Sequence, residues 1–279
     1  MEVAEFDLKV DGGRTLHVYD TGGAGRLPVF WHHGTPNIGA PPRPLFPAAA
    51  RQAIRWVSHD RPGYGGSSPL PGRDVASSAT DVSAVADALG IDRFAVMGHS
   101  GGGPHALACG ALLSDRVLAV VSVAALAPFD AEGLDWFAGM GASSEASLRA
   151  AVTGRAAKED YEASAEHDPD MFTPADHAAL ADEWSWFEDV VGPAVENGTG
   201  GLVDDDLAYV APWGFAPSRI TAPLLVLHGE QDRIVPASHA RWLARHCSSA
   251  DLRLSADDGH ISILNSAPST LTWLRTHAG

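Results

Sequence analysis

Phe94-Ala95-Val96-Met97-Gly98-His99-Ser100-Gly101-Gly102-Gly103 joins a compact apolar run to Gly-x-Ser-x-Gly, followed by a helical pattern over Gly101 to Leu113. A serine at such a strand-to-helix bend occupies a strained turn that projects its hydroxyl outward. Gly98 and Gly102 omit side chains where the two elements nearly touch. The start of the helix offers unpaired N–H groups and a positive dipole end where negative charge would develop. Pro104 falls in the first turn, where a missing N–H forfeits no helical bond. This spacing suits attack by Ser100 on a carbonyl. It does not suit a phosphate loop, since neither Gly-Lys-Ser/Thr nor a complete Gly-x-Gly-x-x-Gly site is present.

The bend must be held by a sheet. Pro28 to His33, Ile54 to His59, Phe94 to Met97, Val117 to Val123 and Leu224 to His228 are short apolar runs of the kind buried on both faces. Helical patterns such as Val75 to Leu89 lie between them, so the fold class is α/β, with a mainly parallel central sheet flanked by helices. Glu5 to Val10 and Arg14 to Asp20 alternate around Asp11-Gly12-Gly13 and predict an antiparallel hairpin. Residues 128–217 break the rhythm with helical spacing and no convincing strand. They are expected to form an inserted helical cap, leaving 1–127 and 218–279 as the core domain.

That insertion carries 19 Asp and Glu against Arg149, Arg155 and Lys158, so the whole net charge of −16 resides there. A solvated surface is the simpler explanation of such a charge run, and a site for a substrate's free amino group is the sharper one. Trp136, Trp184, Trp186 and Trp213, four of the eight tryptophans, fall in the same segment. They either line an apolar substrate pocket or form the segment's own core.

Beyond the bend, further motifs occur in order. His33-Gly34-Thr35-Pro36 and Asp60-Arg61-Pro62-Gly63-Tyr64-Gly65-Gly66-Ser67 precede Ser100. With the elbow they make the chain resemble the α/β-hydrolase superfamily over nearly all its length outside the insertion. The resemblance implies an α/β-hydrolase fold and an oxyanion hole formed by the backbone N–H groups of Thr35 and Gly101. A serine also needs a base, and the base a group to orient it. Leu224 to Pro236 resembles the acid-bearing segment of the superfamily, with Asp232 at the matching position, and Asp257-Asp258-Gly259-His260 resembles its histidine loop. Ser100, Asp232 and His260 follow the family's chain order. Asp130 and Glu230 compete for the acid's role, and of the 13 histidines no other is so placed.

The reaction implied is hydrolysis of a small carboxylic ester through an acyl-enzyme. Amidases, lactonases, cofactor-free perhydrolases and carbon-carbon bond hydrolases use the same groups. A proline-iminopeptidase-like aminopeptidase or amidase is the alternative enzyme, and a non-catalytic ligand receptor is the alternative of another class. Ser100 itself argues against the superfamily's aspartate-nucleophile dehalogenases and epoxide hydrolases.

Several classes are disfavoured by composition. An acidic chain with 19 Lys and Arg lacks the clustered cations of a nucleic-acid surface. Val117 to Phe129 is too short and too interrupted for a membrane span. The amino terminus has no signal-peptide pattern, so a cytoplasmic protein acting on a small molecule is expected. Cys109 and Cys247 are too few for a disulfide framework. The pairs His32-His33 and His59-Asp60 lack ligand spacing, and neither a metal nor an organic cofactor is expected.

Overall fold

The computed structural model describes residues 1–166 and 168–278. Its strands are β1 (Ala4–Lys9), β2 (Thr15–Asp20), β3 (Leu27–His32), β4 (Ile54–His59), β5 (Phe94–His99), β6 (Val117–Val123), β7 (Leu224–Gly229) and β8 (Ala250–Ser255). They form one sheet in the order β1-β2-β4-β3-β5-β6-β7-β8. β2 runs antiparallel to β1 and β4, and the other pairs are parallel. The expected hairpin is closed by the Val10 N–H, which donates to Arg14 O at 3.0 Å.

Helices α1 (Phe46–Arg51), α2 (Ser77–Ala88), α3 (Gly102–Leu112), α9 (Ala237–His246) and α10 (Ala267–His277) flank the sheet. Because side chains alternate across a strand, the apolar runs divide between two cores. Phe30, Phe94, Val96 and Val226 meet Val82, Leu107 and Leu243 on one face. Val29, Trp31, Met97 and Leu225 meet Ala49, Leu271 and Leu274 on the other. β8 has no counterpart among the expected strands. It lies at the sheet edge and pairs only with β7, and Asp251 and Arg253 on its open face interrupt the apolar pattern.

Between β6 and β7 lie α4 (Ala142–Thr153), α5 (Arg155–Ser164), α6 (Pro174–Leu180), α7 (Phe187–Val195) and α8 (Gly200–Tyr209). Among the described residues of 128–217 there is no strand. Among the described residues no helix is long and apolar enough to cross a membrane.

Candidate active site

The bend after β5 is tight. Ser100 N–H donates to Val123 O at 2.9 Å, carrying the β5–β6 pairing one residue past the strand, and Gly103 N–H then turns back onto Ser100 O at 2.9 Å. Ser100 is held at φ +54°. That conformation costs a non-glycine residue about 1–3 kcal/mol, which the surrounding sheet must offset. A Cβ on Gly98 would lie 2.2 Å from Gly102 O, and one on Gly102 only 2.0 Å from His32 O. Strand and helix therefore approach as the glycine pattern requires.

Ser100 Oγ lies 2.8 Å from His260 Nε2, and His260 Nδ1 lies 2.8 Å from Asp232 Oδ2. Asp232 Oδ1 accepts the N–H groups of Ile234 and Val235 at 2.8 and 2.9 Å, so the carboxylate is clamped by its own loop. Burial alone would raise the Asp232 pKa, but His260 and His228 outweigh it and hold the carboxyl well below the ordinary range. An ionised carboxylate can only accept, so the imidazole proton resides on Nδ1 and Nε2 is free to take the proton of Ser100. Of the competing acids, Asp130 is exposed, and Glu230 pairs with Arg241 at the surface.

Thr35 and Gly101 line the same cavity as Ser100. Gly34 O accepts from His33 Nδ1 at 2.8 Å and from Arg61 Nη2 at 2.9 Å. In a trans peptide C=O and N–H point opposite ways, so the Thr35 N–H is turned away from Arg61. Likewise, Ser100 O is taken by Gly103, which turns the Gly101 N–H outward. Among the described residues neither N–H donates to a protein group.

Two cavities meet at Ser100, Thr35, Pro36, Met171 and Ile234. One of about 620 Å³ is lined by His99, Phe172, Leu180, Phe187, Val191 and His260. The other, of about 270 Å³, is lined by Leu126, Leu148, Leu202, Tyr209 and Val235, with Ser147, Glu162 and Asp206 toward its polar side. Contrary to the substrate-lining alternative, Trp136, Trp184, Trp186 and Trp213 line neither cavity and are packed as core. The indole N–H groups of Trp136, Trp184 and Trp213 donate to Ala127 O, Asn265 Oδ1 and Tyr209 O. Trp186 packs on Trp184 and Phe187.

The solvated reading of the insertion's charge also fails at Asp204-Asp205-Asp206, which are only 4%, 0% and 8% exposed. Successive helical residues are rotated by about 100°, so the three carboxylates of α8 point three ways. Asp204 meets Arg155, Asp205 meets Arg61 and Arg73, and Asp206 meets the fully buried Lys158, which also binds Glu162. Asp205 was not singled out by sequence, although it accepts from Thr35 Oγ1 at 2.6 Å and Tyr64 OH at 2.8 Å. Two further supports of His260 were missed. His99 Nε2 lies 3.0 Å from His260 O, and Asp176 binds the backbone just after it. Burial beside His260 lowers the His99 pKa to about 3, so this imidazole is neutral and its Nε2–H donates to the carbonyl. The position of His99 inside Gly-x-Ser-x-Gly was the one available signal.

Residues 28–267 match the family model described as alpha/beta hydrolase fold. The chain is 27% identical over 234 residues to a non-heme chloroperoxidase of Streptomyces lividans, covering 82% of each chain. It is 26% identical over 212 residues to a bifunctional esterase/perhydrolase of Acinetobacter calcoaceticus, covering 75% of each. A solved hydrolase from Pseudomonas aeruginosa superposes with a TM-score of 0.74 at 20% identity, covering 99% of this chain and 98% of that one. The model match spans both the elbow and the histidine loop, and by it the chain belongs to the α/β-hydrolase family of enzymes.

Proposed function

We propose that the protein is a serine hydrolase that cleaves small carboxylic esters through an acyl-enzyme, with residues 128–217 acting as a cap over the site. The observation that carries this reading is the unbroken contact chain Ser100–His260–Asp232 beside two outward N–H groups. His260 Nε2 takes the Ser100 proton as Oγ attacks the ester carbonyl. The tetrahedral oxyanion is received by Thr35 and Gly101, an interaction whose loss typically lowers the rate by about 10²–10³. His260 then protonates the departing alcohol oxygen. In the second half, His260 deprotonates water, which attacks the acyl carbonyl and returns Ser100 with release of the acid.

The leaving oxygen must reach His260, and His260 lines only the larger cavity. The alcohol therefore belongs among Phe172, Leu180, Phe187 and Val191, and the acyl group in the smaller cavity among Leu126, Leu148 and Leu202. Glu162 and Asp206 already share Lys158, which reduces their capacity to hold a second cation and favours an ester over an aminoacyl substrate.

A second reading is favoured by the names of two relatives, a chloroperoxidase and an esterase/perhydrolase. Hydrogen peroxide attacking the same acyl-enzyme would release a peracid and restore Ser100 without a metal. The test is rapid mixing with p-nitrophenyl esters of short acids, with and without peroxide, beside Ser100→Ala. A burst of one nitrophenolate per chain, absent in Ser100→Ala, supports the acyl-enzyme. Turnover retained by Ser100→Ala overturns it. Peracid in place of carboxylic acid selects the second reading, and faster cleavage of a free aminoacyl ester than of its N-acetyl form selects the peptidase.

A further inference from the structure

We infer that α8, within the inserted segment, sets the geometry of the oxyanion hole, with Tyr209 and Asp205 as positioning residues that clamp Thr35 and Gly101 together. This rests on the hydrolase reading above and adds to it a dependence on two side chains that do not touch the reacting atoms.

The hydrogen count fixes the arrangement. Thr35 Oγ1 has one proton and lies 2.6 Å from Asp205 Oδ2, which can only accept. The Thr35 proton therefore goes to Asp205. Tyr209 OH lies 2.9 Å from Thr35 Oγ1 and 2.8 Å from Gly101 O. Its single proton is thus shared between these two acceptors, one from each residue that would supply an oxyanion donor. Arg61 Nη2 also donates to Thr35 Oγ1 at 3.0 Å and to Gly34 O at 2.9 Å, so the peptide carrying the Thr35 N–H is fixed from both sides.

The packing leaves no slack. A Cβ on Gly101 would lie 2.4 Å from Thr35 Oγ1 and 2.5 Å from Tyr209 OH, so these two oxygens fill the space a side chain would need. Asp205 is fully buried and meets Arg61 and Arg73 at 2.7 Å each, and Tyr64 OH at 2.8 Å. Burial alone would raise its pKa, but the two guanidiniums hold it ionised. His105 beside it is neutral, since burial lowers its pKa to about 4. The cluster thus carries two positive charges against one negative beneath the place where an oxyanion would form. Donors held this rigidly need no reorganisation as charge develops, which is where such sites gain most of their rate.

The test uses the full chain and a short p-nitrophenyl ester. Tyr209→Phe keeps the ring and removes the shared proton. Thr35→Val keeps the backbone N–H and the side-chain shape. Each is expected to lower kcat by about 10- to 100-fold, less than the 10²–10³ of a deleted donor, with KM changed less than threefold. Affinity for an alkylboronic acid, which becomes a tetrahedral anion on Ser100, falls by the same factor as kcat/KM. The double variant is no slower than the slower single one, because both break one linkage. Thr35→Ser recovers most of what Thr35→Val loses. Unchanged kcat, additive losses, or raised KM with boronate affinity intact overturns the inference. Should Tyr209→Phe fail to fold, the Val and Ser pair at Thr35 carries the test alone. If Ser100→Ala is inactive while Tyr209→Phe and Thr35→Val keep full kcat, only this inference fails. If Ser100→Ala remains active, the hydrolase reading fails and takes this one with it.

Discussion

Asp176 Oδ1 accepts the backbone N–H of Ile261 at 2.8 Å, tying α6 to the loop that carries His260. The same oxygen accepts Ser262 N–H at 2.8 Å, while Oδ2 caps its own helix through Thr173 N–H at 3.0 Å. Burial alone would raise the Asp176 pKa, but the N–H groups of Ser262, Thr173 and Ile261 lower it below the ordinary carboxylate value. A Cβ on Gly259 would lie 2.1 Å from Asp176 Oδ2, so the loop is seated directly on this carboxylate. The proposed base is therefore positioned by the insertion as well as by the sheet.

Asp176→Asn keeps the shape but replaces one accepting oxygen with a donor. Losing charge-assisted bonds of this kind costs about 1.5–3 kcal/mol each. The expected outcome is a lower urea midpoint together with a kcat reduced about tenfold or more, since misplacing a catalytic group by 1 Å can cost about 10². Urea melts and ester kinetics on one preparation check both.

Asp232→Asn removes the group that fixes the His260 tautomer and is expected to lower kcat by about 10⁴. Asp130→Asn and Glu230→Gln are expected to stay within twofold of the parent, because neither side chain reaches His260. Comparable losses at either of these positions would move the acid elsewhere.

The two cavities make separable demands. Leu202→Phe should shorten the range of acyl chains accepted and change the deacylation rate. Val191→Trp should change the preference among alcohols and leave deacylation of a common acyl-enzyme within twofold. Single-turnover measurements with matched ester series distinguish the two, and identical effects of both variants would remove the assignment of the cavities.

Acid is expected to destabilise the fold well above the carboxylate range. Burial lowers the pKa of His59, His105 and His239 to about 4 and that of His99 to about 3, and lowers His32 and His33 in the same direction. Below about pH 6.5 the unfolded chain binds protons at these imidazoles and the folded chain does not, so stability is lost as the pH is lowered. Each contributes up to about 1.4 kcal/mol per pH unit until its folded pKa is reached. His17 has the opposite sign: burial lowers its pKa, but Asp7, Asp60 and Glu5 together raise it. The urea midpoint should therefore drop between pH 7 and pH 5. A flat midpoint over that interval would contradict the buried neutral imidazoles.

Every strand but β8 was legible in local pattern, and so was the bend at Ser100, whereas Asp232 and His260 were reached through the family resemblance and its chain order. Gly98 and Gly102 announce a close approach, and the acidic and histidine loops follow β7 and β8 at the carboxyl ends of parallel strands. The surroundings of the site were not legible, since they depend on which way a helix turns its faces. Counting charge merged Asp204, Asp205 and Asp206 into one acidic run, whereas α8 sends them to Arg155, Arg61 with Arg73, and Lys158. Aromatic size likewise left open whether Trp136, Trp184, Trp186 and Trp213 line a pocket or form a core, and the cavity walls use Phe172 and Phe187 instead. A large apolar side chain fits a core as well as a pocket, and only the packing decides between them.

The most direct measurement is the site of fluorophosphonate labelling, located by peptide mass spectrometry on the intact chain. The expected result is a single adduct on Ser100, lost in Ser100→Ala and formed far more slowly in His260→Ala. Labelling at another residue, or at Ser100 with an undiminished rate in His260→Ala, would contradict a serine activated by His260.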